Sequence, residues 1–379
     1  MRRPLPRTVN FQLSRMRGAA ALVTRPDKRL ALLAWLLGAL VLVVLGGLFL
    51  FQATREDLET AAAREGVVEV WSTTDSNRVQ ELLADFRRRH PKVRVIYTDI
   101  RGSDLQSQFL ASARSNRGTA DVLWSSAMDL QIKLVNDGYA ATYASRHSAH
   151  FPDWAKWKNQ AWGVTAEPIV TVYNTKLVPA DQIPDSHVAL RRFLEAGEPD
   201  GRRVVATYDP VRSAVGYLYL SQDAQASSEV WRLVKAMRKD RLKLYTSAED
   251  ILHEVSAGRA AFGYNVAGSY ALDEMSAQPD LGVILPQDYT LVMSRIAIIP
   301  HQARHPAAAR LFLDFLLSRE GQRHLAGRHI TPARSDVEAP RLLAHSVPRR
   351  AIRVGPALLV TEDRLTRAHF ISLWEKSRR

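Results

Sequence analysis

Four short stretches of this sequence place small hydroxyl and amide side chains where a strand gives way to a helix. They are Ser72-Thr73-Thr74-Asp75, Ser125-Ser126, Tyr208-Asp209-Pro210 running through Arg212-Ser213-Ala214-Val215-Gly216, and Tyr264-Asn265. Such groups can hold an anion. Exposed amides at a helix N-terminus carry partial positive charge, and small residues permit close approach. Hydroxyls add neutral donors without burying a fixed charge. Ser, Thr, Asp and Asn are also the preferred helix caps, so each stretch taken alone reads equally well as a cap. Only convergence on one cleft would make them a site, because ligands of open α/β sheets bind beyond the carboxyl ends of the strands.

Other chemistry is thinly represented. The sequence has no P-loop and no G-x-S-x-G elbow, which leaves nucleotide hydrolysis and esterase chemistry unsupported. His147 and His150 have H-x-x-H spacing in a polar loop without a nearby Glu. Catalytic zinc needs a third ligand, so these read as surface histidines and no metal or cofactor is expected. Arg212 and Arg295 are able to pair with an anionic ligand, although most arginines are solvated or salt-bridged. An enzyme would need an acid or base at the cleft, and Asp75, Asp129 and Glu167 are the only candidates; no enzymatic activity is expected. Cysteine is absent, which removes thiolate and disulfide chemistry.

The elements that must position these residues alternate. VVEVW (Val67–Trp71), KVRVIYTD (Lys92–Asp99) and ADVLW (Ala120–Trp124) read as strands, each followed by a helix. In the first helix Val79, Leu82, Leu83 and Phe86 fall at helical spacing and Pro91 is the stop; Gly138 closes the third. The pattern resumes with VVATYD (Val204–Asp209), KLYTS, AAFGYN and LGVILP, with a Thr246-x-x-Glu249 capping box between them. GVTAEPIVTVYNT and TLVMSRIAIIP read as two crossings between the halves, and His305 to Ser318 as a strong amphipathic helix. Such alternation implies parallel sheets with helices on both faces. The expected fold is α/β and two-lobed, a hinged clamshell with one lobe from 66–166 and 296–379 and the other from 167–295.

Ahead of these lobes, residues 1–29 form a basic segment. It holds eight Arg or Lys against Asp27 alone, just over half of the net charge of +13. With so little excess elsewhere, and with no zinc-finger spacing or aromatic RNA-binding signature, no nucleic-acid partner is expected. Leu30 to Phe51 then runs for 22 residues without a charge. As a helix it would extend about 33 Å, enough for a bilayer core of about 30 Å. It is longer than a cleaved signal's apolar region and lacks a small-x-small site, so it reads as a transmembrane signal anchor over 30–51, with a stalk over 52–65. The positive flank stays in the cytoplasm. The expected location is a bacterial inner membrane, single-pass, with the soluble part in the periplasm.

Several stretches together resemble a family. VEVWSTTDSNRVQELLADFRRRHP, ADVLWSSAMDLQIKLVNDGY, VYNTKLVP, TYDPVRSAVGYLY, GRAAFGYNVAGSYA and HPAAARLFLDFLLSREGQ are similar to type II periplasmic solute-binding proteins of ABC transporters, over about residues 66–335. The similarity is to the ferric-binding group and its hexose-phosphate-binding and phosphoglycerate-regulatory relatives. It implies a periplasmic binding protein type II fold with hinge crossings, and a cleft lined by Ser72, Thr73, Asp75, Ser126, Ser213, Gly216, Tyr217, Tyr264 and Asn265. Ferric binders of this family carry Asn-His-Tyr-Tyr at the last turn. This chain reads Asn265-Val266-Ala267-Gly268, and Val, Ala and Gly give ferric iron no anionic oxygen. The expected ligand is therefore a small organic anion, phosphorylated or carboxylated, with a ferric-iron-binding protein as the alternative. An ABC permease is the expected partner. A chain without a lipid-bearing Cys but with an apparent anchor also suits a tethered sensor that feeds a kinase of a two-component system.

Overall fold

The computed structural model describes residues 35–42, 58–115, 119–196, 204–343 and 347–378. Residues 1–55 and 56–379 form two separate compact units. In the first, residues 35–42 are helical and exposed. The whole of the basic segment, most of the 30–51 run read as an anchor and the start of the stalk lie outside the described residues. Among the described residues, no helix is long and apolar enough to cross a membrane.

In the second unit, strand β1 (Val67–Ser72) buries every second residue, Val68, Val70 and Ser72, as a strand with one covered face should. It pairs in parallel with β2 (Arg94–Asp99) and β3 (Val122–Ser125). The sheet is completed by β4 (Lys156–Trp157), β5 (Ala161–Gly163) and, from late in the chain, β12 (Ile296–Ile298), in the order β2-β1-β3-β12-β5-β4. The second sheet contains β6 (Glu167–Asn174), β7 (Val205–Tyr208), β8 (Leu242–Tyr245), β9 (Phe262–Ala267), β11 (Thr290–Met293) and β13 (Arg349–Ala351). Its order is β13-β11-β6-β9-β7-β8, and β10 (Leu281–Ile284) pairs with β6. Both sheets are mixed rather than parallel. Strand β12 runs antiparallel to β3 and β5, and β6 antiparallel to β9, because each crossing returns the chain in the opposite sense.

Both predicted crossings are present. One is Val164–Ala166, between β5 and β6; the other is Ser294-Arg295, between β11 and β12. The helices are α1 (Gln80–Arg89), α2 (Gly102–Ser115), α3 (Met128–Asn136), α4 (His187–Glu195), α5 (Ala214–Ala226), α6 (Glu229–Met237), α7 (Ala248–Ser256), α8 (Gly268–Ala277), α9 (Pro306–Leu317), α10 (Arg319–Gly327) and α11 (Arg364–Ser377). Helix α1 buries Leu82, Leu83 and Phe86, and Phe86 meets Phe312 and Phe315 of α9 edge-on. The chain leaves α3 through Gly138 at φ +84°, a backbone that glycine adopts without penalty. The cap of α7 sits one residue later than the T-x-x-E reading: Ser247 Oγ accepts from Asp250 N at 3.1 Å.

The C-terminal part does not belong wholly to the first lobe, as the 296–379 boundary had it. Strand β13 pairs with β11 in the second sheet, and Trp374 of α11 packs with Val230 and Val234 of α6. Between them, Val354 N donates to Trp154 O on the first-lobe side. Ile352, Val354 and Leu358 join a hydrophobic cluster that runs from Leu105, Phe109 and Ile132 to Val170, Leu218 and Leu291. A third connection thus fastens the two lobes.

Candidate functional site

A cavity of about 880 Å³ lies between the two sheets. The first lobe lines it with Thr73 and Asp75 after β1, Asp99 at the end of β2, Arg101 in the turn that follows, Gly102 and Asp104 in the first turn of α2, and Ser126 before α3. The second lobe contributes Tyr208 at the end of β7 with Arg212 and Ser213 after it, then Ala214, Val215 and Tyr219 of α5, residues 246–250 at the start of α7, Ala267 at the end of β9 and Tyr270 in the first turn of α8. Arg295 lies at the crossing. The walls are therefore carboxyl ends of strands and amino ends of helices, drawn from both lobes. Those helix ends bring positive partial charge toward one volume.

Of the residues read from the sequence, Thr73, Asp75, Ser126 and Ser213 are brought together at this cavity. Thr73 Oγ1 and Ser126 Oγ lie 3.0 Å apart, and Ser126 N donates to Thr73 Oγ1 at 2.9 Å. Asp75 accepts from the Tyr270 hydroxyl at 2.7 Å, a bond that joins the two lobes. Ser213 caps α5 by accepting from Gly216 N at 3.3 Å. Arg212 also lines the cavity.

The remaining five point elsewhere. Ser72 is buried, donates to Trp124 O at 2.9 Å and accepts from Thr74 N at 3.0 Å, so it shapes the turn from beneath. Gly216 is where α5 crosses β7: a Cβ there would stand 2.5 Å from Tyr208 Cβ. Tyr217 turns to the C-terminal segment, with its hydroxyl on Thr361 O at 2.6 Å and the Arg367 guanidinium over its ring. Tyr264 and Asn265 do not end a strand, because β9 continues to Ala267. Asn265 takes φ +62° where the register against β6 shifts by a residue, a β-bulge that asparagine tolerates. Their side chains converge on buried Asp223, Tyr264 Oη at 2.8 Å and Asn265 Nδ2 at 2.6 Å, with Tyr289 Oη at 3.0 Å on its other oxygen. Burial pushes the Asp223 carboxyl up despite these donors.

The strand-end rule would have found several residues that sequence reasoning passed over. Arg101 follows β2 and Ser247 follows β8, both at turns to which the rule was not applied. Tyr219 left no signal, since α5 is buried nearly all round and shows no single apolar face.

The charge of the cavity is mixed. Asp75, Asp99, Asp104, Glu249 and Asp250 face Arg101, Arg212 and Arg295. Several of the acids are engaged: Asp99 accepts from Ser76 N at 3.0 Å, and Asp250 from Ser247 Oγ at 2.7 Å. Burial, with Asp75 nearby, raises Glu249. Arg295 is spent on Glu167, at 2.7 Å, and on Thr74 Oγ1 at 2.9 Å. Arg101 and Arg212 meet no carboxylate among the described residues.

The other candidates lie apart from the cavity. Asp129 and Glu167 are buried outside its lining. Burial pushes His147 down to about 4, against the pull of Asp314 and with Arg146 and Arg334 beside it. Among the described residues, no group of three His, Cys, Asp or Glu is placed to hold a metal ion.

Two lobes around a polar cavity define a solute receptor, and comparison with known proteins agrees. Residues 81–347 match the family described as bacterial extracellular solute-binding protein. The substrate-binding protein of an ABC transporter from Agrobacterium tumefaciens is 35% identical, with a TM-score of 0.77 over 83% of this chain and 94% of that one. This chain belongs to that extracellular solute-binding family. Its two-lobed fold is shared with the ferric binding protein from Campylobacter jejuni, 17% identical with a TM-score of 0.66 over 82% and 99% of the two chains. It is shared equally with AfuA from Actinobacillus pleuropneumoniae, solved with fructose-6-phosphate, at 18%, 0.66, 82% and 98%. No curated protein sequence matches the chain.

Proposed function

We propose that this receptor closes on a small organic anion, phosphorylated or carboxylated, and presents it to an ABC permease. The observation that carries this reading is the convergence of helix N-termini from both lobes on one cavity, beside two guanidiniums without a carboxylate partner among the described residues. Its volume of about 880 Å³ suits a metabolite-sized ligand. Closure needs contacts from both lobes, and the lining supplies them. The reading is of a receptor and not an enzyme. Of the acids that chemistry would need, Glu167 is held by Arg295 and Asp129 is buried away from the cavity, while Asp75 is bound by Tyr270.

Titration calorimetry of the intact chain with phosphate esters, with di- and tricarboxylates and with ferric citrate tests this. A ligand at a hundred times its dissociation constant adds about 2.7 kcal/mol of stability, which a thermal-shift screen reads directly. Binding of ferric ion with no response to any organic anion would overturn it.

One observation favours ferric ion as the second reading. The 265–268 turn offers ferric ion no phenolate, whereas Tyr208, Tyr219 and Tyr270 all line the cavity from other positions. The uncharged run over 30–51 supports a membrane tether, and with it the reading as a sensor for a kinase. A tethered protein sediments with membranes after a carbonate wash, whereas a released one stays in the periplasmic fraction.

A further inference from the structure

Tyr208 and Tyr219 are 6% and 2% exposed, and both line the cavity. Their rings meet edge-on with centroids 6.0 Å apart. Neither hydroxyl has a hydrogen-bond partner among the described residues, yet neither is among the polar atoms sealed inside the protein. Equally buried tyrosines behave differently: Tyr217 donates to Thr361 O and Tyr264 to Asp223. Phenylalanine would fill the same space, so what tyrosine adds at 208 and 219 is a hydroxyl that opens onto the cavity and is able to donate to what enters it.

We propose that the Tyr208 and Tyr219 hydroxyls contact the ligand and set its class, as two neutral donors for an acceptor-only group, an ionised carboxylate or phosphoryl. The inference deepens the receptor reading above and rests on it. Arg212 and the amides that open α5 lie on the same wall, so a charged donor and neutral donors face one volume. Burial raises both phenols, which keeps their protons in place for donation. Ferric coordination would need those protons removed.

The test uses the intact chain and its Tyr208→Phe and Tyr219→Phe variants. Each is titrated with inorganic phosphate, glycerol 3-phosphate, succinate and citrate, and separately with ferric citrate. The variants keep the rings, and among the described residues their hydroxyls have no partner to strand, so melting temperatures should stay near that of the parent. For the tightest-binding organic probe, each variant should weaken binding by about tenfold or more, the usual effect of removing a hydrogen bond to a charged group. Parent binding with both variants within about twofold would overturn the inference and leave the receptor reading standing. A visible phenolate-to-iron band, lost in the variants, would also overturn it, because the hydroxyls would then be metal ligands. If the parent binds none of the organic probes, the anion reading itself fails and this inference with it.

Discussion

Glu167 and Arg295 form a sealed ion pair where the two crossings pass each other, Oε1 to Nε at 2.7 Å, with side chains 0% and 2% exposed. Ser269 Oγ of α8 donates to Glu167, and Arg295 Nη1 to Thr74 at 2.9 Å, so the pair binds both lobes to the hinge. Burial alone would raise the Glu167 carboxyl; the Arg295 guanidinium overrides it and holds the carboxyl below its usual range.

Removing one partner strands the other. Glu167→Gln should cost about 3–5 kcal/mol in urea unfolding, and replacing both residues with apolar ones of similar size should recover most of that loss. Because the folded carboxyl is depressed, the pair's contribution is present above the ordinary carboxylate range and is lost as pH falls through the folded value. The parent should therefore lose more stability on acidification than the double variant does.

Asp129 should show the opposite slope. Burial first, then the Glu362 carboxylate, pushes it up to about 7. A raised carboxyl favours the folded state at low pH, and that advantage fades as pH rises through the window to about 7. Asp129→Asn keeps the acceptor for Leu130 N and carries no charge to bury. Unfolding at about pH 5 and about pH 8 should find the variant's advantage over the parent clearly larger at the higher value.

Asn265 separates a structural role from a binding one. Asn265→Ala forces a left-handed backbone at about 1–2 kcal/mol and removes a donor from Asp223 at about 1–3 kcal/mol more. Asn265→Gly should incur only the second loss. Both should bind the best probe as the parent does once corrected for folded fraction; a loss of affinity without a loss of stability would return Asn265 to the cleft.

Gly216→Ala should act on the site from behind. Its Cβ would meet Tyr208 Cβ at 2.5 Å, so either β7 or α5 must shift. Overpacking of this kind costs about 1–3 kcal/mol. Because Tyr208 lines the cavity, thermal unfolding and probe affinity should fall together.

The fold was legible where periodicity and turn chemistry agree. Strand β1, helix α1 with its Phe86 face, the glycine after α3 and both crossings follow from side-chain pattern alone. Three turns of the cavity, at 72–75, 125–126 and 208–216, followed from applying the strand-end rule. The turn at 264–265 misled because Asn is both a strand terminator and a residue that tolerates positive φ; a bulge inside a strand has the same local signature as its end. The true end of β9, at Ala267, has no polar marker. The partners of the C-terminal segment were not legible, since pairing of β13 with β11 is a tertiary choice that three residues of sequence do not specify. Tyr219 was missed for a related reason, as burial on every side of α5 leaves no face to single out.

Strand β12 fills the gap between β3 and β5, yet well over a hundred residues separate it from either in the chain. During synthesis the first lobe therefore exists as two halves with raw sheet edges, and it stays so until the ribosome has delivered the segment after β11. The second lobe waits longer still, for β13. Neither half can mature as it emerges, and unpaired edges of this kind invite aggregation. A chain of this design carries raw strand edges until β13 has joined the second sheet.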